Sequence, residues 1–434
     1  MSFKASWCTV AAAKDATIGR VSVLEGRTVV LAVTGSVAAY KSAEVARLLK
    51  KAGAKVLPVL TRSAEKFIGS VTLSGITGQP VRTDMWDPSF PGELHVALAN
   101  EADAVVVVPA TADVLARFAS GRADDLLAAL VLSARGPVLV APSMHPRMWA
   151  HPATERNVRT LEADGRVTFV GPVFGEVASG DVGLGRMAEP LDIVAALERV
   201  LGPGDFDGLR VVVTAGPTHE PIDPVRYLGN LSSGKMGFAI AREAARRGAN
   251  VTLIAGPSAE PTPPHVTRVD VRTCLDMQAA LDASVGPDVA GVDLVVMAAA
   301  VADFRVAEPA TAKIKKAAGE PPPTVTLVKN PDLLAGLGAR RSVDGAVLVG
   351  FALETGDDAS LLGYARKKLT DKRVDLVVAN RADQSLGRDQ NRVALVTSEG
   401  AVWLPEDDKT HLATLLLDAT RPLVRARRSP RPTV

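Results

Sequence analysis

The chain has 434 residues, 47% of them apolar, with 50 Lys and Arg against 48 Asp and Glu and a formal net charge of +2. That length exceeds what one hydrophobic core fills, so two or more domains are expected. The near-balanced charge gives no electrostatic case for nucleic acid or an anionic membrane. Two cysteines, Cys8 and Cys274, argue for a reducing compartment and against a disulfide framework. The longest apolar runs, 104–108 and 294–300, stop far short of the ~20 residues of a membrane helix. The expectation is a cytoplasmic protein with no membrane partner.

In chain order, residues 1–25 read as an N-terminal extension, because Lys14 and Asp15 interrupt a weak signal-like stretch. Strand-like runs then alternate with helical ones: strand 27–34, helix 38–52, strand 55–60, and strands at 104–108 and 138–141. A helix over 191–201 closes a first domain of 26–201. The Gly-Pro-Gly-Asp-Phe-Asp-Gly cluster at 202–208 reads as a linker. The alternation restarts with strand 209–214, helix 237–248 and strand 250–255, opening a second domain of 209–420. Pro-rich 257–264 and 317–323 read as irregular surface loops, and basic 421–434 as a disordered tail. The fold class is α/β, two Rossmann-like parallel-sheet domains in series.

Thr34-Gly35-Ser36 ends the first strand and opens a helix, a place where backbone amides meet phosphate; the same segment also reads as a plain tight turn. The three-glycine dinucleotide fingerprint is absent, which favours a mononucleotide over NAD. Pro109-Ala110-Thr111-Ala112-Asp113 and Pro142-Ser143-Met144-His145-Pro146-Arg147-Met148-Trp149 follow two further strands, where open α/β sheets bind ligands. On these motifs the first domain resembles the flavin-containing cysteine decarboxylases. The resemblance implies a flavodoxin-like domain with FMN contacts at Gly35, Ser36, Thr61, Ala110, Thr111, Ser143 and Met144. It also implies substrate contacts at His145, Met148 and Trp149, catalysis by His95, and a flap over 180–187. Two positions depart from that family: His145 stands for its asparagine and Ser179 for its proton-donating cysteine. A serine hydroxyl is a far weaker acid than a thiol. The readings left open are a proton supplied by protonated His145 or by a water held by Ser179, a flavin-binding regulatory module impaired in decarboxylation, and a flavin prenyltransferase-like relative. His95 and the Met-x-x-x-Met-Trp spacing disfavour the last.

Thr214-Ala215-Gly216 repeats the strand-to-loop design, and 230–237 (Asn-Leu-Ser-Ser-Gly-Lys-Met-Gly) leads into a helix without Walker spacing. Asp303 and the Lys313-Ile314-Lys315-Lys316 run suit a metal-bound triphosphate, although a solvated charged strand has the same composition. Lys368 and Lys372, four apart, share one helical face. The order of these segments resembles phosphopantothenate-cysteine ligases, and the two halves together resemble bifunctional enzymes of coenzyme A biosynthesis. The resemblance implies a CTP-dependent ligase domain using 4′-phosphopantothenate, cysteine and CTP with Mg2+ at Asp303. Substrate contacts fall at Ala298, Ala299, Asp303, Lys313, Pro331, Asp332, Leu333, Leu334, Phe351, Lys368 and Lys372, with Asn230 and Lys313 catalytic. It further implies trimeric flavin units and dimeric ligase units, hence a homo-oligomer of up to dodecameric size.

Overall fold

The computed structural model describes residues 22–315, 324–385 and 390–428; Cys8, Lys316 and the expected loop at 317–323 lie outside them. The chain divides into two compact units that meet in sequence at Pro203 and Gly204.

The first unit holds five parallel strands: β1 (Thr28–Val33), β2 (Lys55–Leu60), β3 (Ala104–Ala110), β4 (Val138–Pro142) and β5 (Val167–Phe169), in the order β2-β1-β3-β4-β5. The central strands read as continuous apolar runs because both faces are covered. Val29, Leu31 and Val33 pack with Val45, Leu49 and Leu197 on one face, while Val30 and Ala32 pack with Leu94, Leu115 and Leu127 on the other. Crossovers leave β1 and β3 in opposite directions, so the loops at their carboxyl ends part and leave a crevice. The helix expected at 38–52 divides into a 3-10 turn, Val37–Lys41, capped by Ser36, and an α-helix, Ser42–Lys51. Where the sequence suggests a flap, a hairpin of β6 (Val173–Glu176) and β7 (Val182–Arg186) forms, and helix Pro190–Leu201 follows.

The second unit runs through β8 (Arg210–Ala215), β9 (His219–Pro221), β10 (Tyr227–Gly229), β11 (Asn250–Ala255), β12 (Val266–Asp270), β13 (Leu294–Met297), β14 (Phe304–Val306) and β15 (Leu327–Lys329). It continues with β16 (Val347–Glu354), β17 (Leu376–Arg381), β18 (Gln390–Asn391), β19 (Val393–Thr397) and β20 (Gly400–Trp403). Its main sheet has the order β12-β11-β8-β13-β16-β17-β19-β20, parallel except for the antiparallel edge formed by β19 and β20. The switch point lies between β8 and β13.

Three boundary expectations change. Leu24 is fully buried, so 22–25 belong to the first unit rather than to an extension. Residues 205–208 are no linker: Phe206 is fully buried, and Asp205 accepts hydrogen bonds from Arg247 Nε at 2.9 Å and Arg421 Nη1 at 2.9 Å. Nor is 421–428 a disordered tail. Helix Lys409–Arg428 runs through it, Val424 is buried, and Arg427 and Arg428 pair with Asp375 and Asp293. Basic composition suggested solvation, but each of these arginines has a carboxylate waiting in the fold. Residues 429–434 lie outside the described residues.

Candidate active sites

In the first unit a cavity of about 590 Å³ opens at the carboxyl ends of the strands, lined by Ser36, Ser143, Met144, His145, Ser179 and Met187 among others. Its walls are tied together. Thr34 Oγ1 donates to the Pro109 carbonyl at 2.7 Å, Ser143 N donates to the Ala110 carbonyl at 2.9 Å, and the Ser36 and Ser143 hydroxyls lie 3.2 Å apart. Gly35 is required by a close approach, since a Cβ there would come within 2.5 Å of Ser63 Cβ. Apolar methionine surface beside convergent hydroxyls and a helix N-terminus suits a flat ring carrying a polar, phosphorylated tail.

The hairpin packs directly on the segment 142–149 that follows β4. Met144 N donates to the Gly185 carbonyl at 3.0 Å, and a Cβ on Gly185 would meet the Met144 carbonyl oxygen at 2.4 Å. At its tip, Ser179 Oγ donates to Asp181 Oδ2 at 2.8 Å, and His145 Nε2 lies 2.7 Å from the same oxygen. His145 Nδ1 accepts from Arg147 N at 3.1 Å, so the ring is held from both sides, by the Arg147 amide and by Asp181. The hydrogen bonds from His145 and Ser179 hold the Asp181 carboxyl below its ordinary range. Asp181 was not among the residues singled out by sequence; its signal is only its place two residues after Ser179.

Of the other expected residues, Gly35, Thr61, Ala110 and Thr111 form the wall behind the cavity rather than its lining: Thr61 N donates to the Val33 carbonyl at 3.1 Å, and Thr111 caps helix Ala112–Ser120. Met148 and Trp149 sit on the short helix Pro146–Trp149 outside the lining, Met148 exposed and Trp149 packed on the core. His95 is likewise not brought to the cavity. It lies on helix Leu94–Glu101, and its buried Nδ1 has no hydrogen-bond partner among the described residues.

In the second unit the loops after β8 and β13 are laced together. Ala299 N donates to Thr214 Oγ1 at 3.2 Å, Ala300 N to the Gly216 carbonyl at 2.9 Å, and Ala302 N to Thr218 Oγ1 at 3.0 Å. Helix Lys235–Arg246 approaches so closely that a Cβ on Gly237 would lie 2.5 Å from Ala215 Cβ. Asn230 Nδ2 donates to the Val301 carbonyl at 3.0 Å and the Ala300 carbonyl at 3.4 Å, which leaves Oδ1 to face a ligand as an acceptor.

Helix Asp358–Asp371 carries Lys368 and ends at Lys372, and both lysines turn inward. Lys368 Nζ donates to the Phe351 carbonyl at 2.5 Å, and Lys372 pairs with Asp332, which also caps helix Leu333–Arg340. Burial lowers the Lys368 pKa against the opposing pull of Asp332, Glu354 and Asp303. The solvent-facing reading of this pair therefore fails. Leu333 and Leu334 are core residues, so only their backbone N–H groups can serve a ligand, and the Pro331 carbonyl accepts from Cys274 Sγ at 3.8 Å. Asp303 and Lys313 are both exposed. Among the described residues no cluster of three or more His, Cys, Asp or Glu could hold a metal, so Asp303 alone offers no protein cage for Mg2+. No helix among the described residues is long and apolar enough to cross a membrane.

The two α/β units match two family models: residues 21–202 match the flavoprotein family, and 206–423 match the C-terminal domain of the DNA/pantothenate metabolism flavoproteins. That defines the class, a flavoprotein unit joined to its pantothenate-metabolism partner. The coenzyme A biosynthesis bifunctional protein CoaBC of Escherichia coli K12 is 43% identical over 401 residues, covering 91% of this chain and 97% of its own. That of Mycobacterium tuberculosis H37Rv is 46% identical over 407 residues, covering 90% and 95%. A crystal structure of the C-terminal domain of a CoaBC protein aligns at 34% identity over 51% of this chain and 99% of that one, with a TM-score of 0.43. The chain belongs to the family of bifunctional coenzyme A biosynthesis proteins.

Proposed function

We propose that the second unit joins cysteine to 4′-phosphopantothenate at the expense of CTP, and that the first unit decarboxylates the resulting phosphopantothenoylcysteine to 4′-phosphopantetheine with FMN. The observation that carries the reading is the inward convergence of Lys368 and Lys372 on Asp332 and the Phe351 carbonyl, a half-buried cationic site. A buried ammonium with few partners stabilises the folded unit poorly but binds a triphosphate well.

A carboxylate resists attack by an amine until one of its oxygens joins a leaving group. The phosphopantothenate carboxylate attacks the α-phosphorus of CTP, breaking the α–β bridge and releasing pyrophosphate. The cysteine amine then attacks the acyl carbon, loses a proton and displaces CMP. Lys313, Lys368 and Lys372 offset the triphosphate charge, and exposed Asp303 together with phosphate oxygens makes the ligand set that Mg2+ favours. The outward Asn230 Oδ1 accepts from the incoming amine and aims it.

In the first unit, FMN when bound supplies a two-electron sink that lets an acylated cysteine, which cannot form a Schiff base, lose carbon dioxide. Ser36 and Ser143 orient it, Met144 and Met187 supply its apolar bed, and the hairpin excludes water from the reactive sulfur species. Ser179 gives its only proton to Asp181, so its oxygen faces the cavity as an acceptor. The proton that completes thiol formation then reaches the sulfur species through a water held by Ser179, and that water takes a proton back from bulk solvent. Exposed Tyr40, Phe174 and Val182 support a homo-oligomeric working state. Incubating the protein with CTP, cysteine and 4′-phosphopantothenate tests the whole reading by mass spectrometry: 4′-phosphopantetheine, CMP and pyrophosphate are expected. Absence of pyrophosphate refutes the ligase; accumulation of phosphopantothenoylcysteine refutes the decarboxylase.

A further inference from the structure

Few hydrogen bonds among the described residues hold the segment that carries Lys313. Among the described residues, the only hydrogen bonds of 311–315 are those of Ile314: its N–H donates to Asp223 Oδ2 at 3.1 Å, and its carbonyl accepts from Arg226 Nη2 at 3.0 Å. One residue upstream of that stretch, Ala310 N donates to the Ile222 carbonyl at 2.9 Å. The anchor is itself rigid. The Asp223 side chain is fully buried and accepts from Val225 N and Arg226 N at 2.8 Å each and from Arg226 Nε at 2.9 Å, with a further bond from Arg226 Nη2. These donors hold its carboxyl far below the ordinary range. A buried carboxylate saturated by five N–H groups is costly to assemble unless each donor is in place. Here one of the five belongs to the residue beside Lys313.

We propose that Asp223 is a positioning residue for the ligase reaction: with Arg226 it clamps both backbone groups of Ile314 and thereby fixes Lys313 where the CTP phosphates arrive. The inference rests on the ligase reading above. Asp223 touches no substrate; it acts through Lys313, whose long side chain amplifies any drift of its backbone. A displacement of about 1 Å in a group that stabilises charge costs on the order of 100-fold in rate.

The test uses the full-length protein and measures pyrophosphate release from CTP and 4′-phosphopantothenate without cysteine, in four forms: wild type, Asp223→Asn, Lys313→Ala and the double variant. Asp223→Asn is expected to slow the single-turnover release of pyrophosphate at least tenfold, to speed hydrogen exchange at 310–315, and to add no further loss in the Lys313→Ala background. Arg226→Gln, which breaks the same clamp from its exposed side, is expected to behave alike and serves if Asp223→Asn does not fold. A wild-type rate in a folded clamp variant, or a loss that multiplies with that of Lys313→Ala, overturns the inference. Failure of the wild type to release pyrophosphate overturns the ligase reading instead.

Discussion

Lys368 shows how one side chain's surroundings set its chemistry. Its amine is half-buried against a single backbone carbonyl, and hydrogen bonds from a charged donor are worth about 1.5–3 kcal/mol. Lys368→Ala is therefore expected to lower kcat/KM for CTP by roughly 10- to 150-fold in steady-state kinetics. Because burial lowers its pKa, the charge is lost at a lower pH than on an exposed lysine, and CTP turnover should fall on the alkaline side. In Lys368→Arg, which stays charged, that limb should move to higher pH; an unmoved limb assigns it to another group. Cys274 is the opposite case. Burial and nearby Glu220 push its thiol up to about 11, so iodoacetamide at neutral pH should leave it unlabelled in the folded protein and label it after unfolding, read by peptide mass spectrometry. At Ser179 the expected gain runs the other way: Ser179→Cys supplies a thiol acid, and the fraction of product released as reduced thiol should rise.

At the scale of elements, glycines set how closely pieces dock. The hairpin of β6 and β7 rests on the segment Met144–Pro146 only because Gly185 lets backbone meet backbone. Gly185→Ala should lift it, and the oxidised enethiol should then appear free in solution with flavin still bound. Gly237 plays the same part for helix Lys235–Arg246 against β8, where the intruding methyl would face backbone and an alanine on a packed strand. Overpacking of this kind costs about 1–3 kcal/mol. Thermal unfolding of Gly237→Ala should show the second unit melting several degrees lower, with the first unit unchanged.

Each unit of the whole molecule carries its own cores on both faces of its own sheet. Residues 1–203 and 204–434 produced as separate chains are expected to fold, the first retaining flavin colour and the second CTP-dependent pyrophosphate release. The second unit depends on a buried charge network: Arg247, 3% exposed, pairs with Asp205 at 2.5 Å and with Asp418 at 2.8 Å and lies 4.7 Å from the Phe206 ring. Breaking such a pair leaves a charge buried alone and costs about 3–5 kcal/mol. This network is why a sequence cut at 209 would remove part of the fold.

The sequence by itself determined the alternation of apolar strands and amphipathic helices and the two strand-to-loop segments, Thr34-Gly35-Ser36 and Thr214-Ala215-Gly216. Those features repeat at short spacing, and local chemistry imposes them. It read the inward face of Lys368 and Lys372 only through family resemblance, because a spacing of four is equally that of a solvated pair. What tertiary structure alone decided is long-range: that Asp205 and Phe206 are core, that Arg421, Arg427 and Arg428 tie a helix to distant carboxylates, and that His95 does not line the cavity of its own chain. It also decided that Asp181 joins the two positions departing from the decarboxylase pattern, and that Asp223 holds a segment some ninety residues away, Ile314, by its N–H. Hydrogen bonds between residues so far apart leave no periodicity in the chain; they exist only once the sheets have brought their ends together.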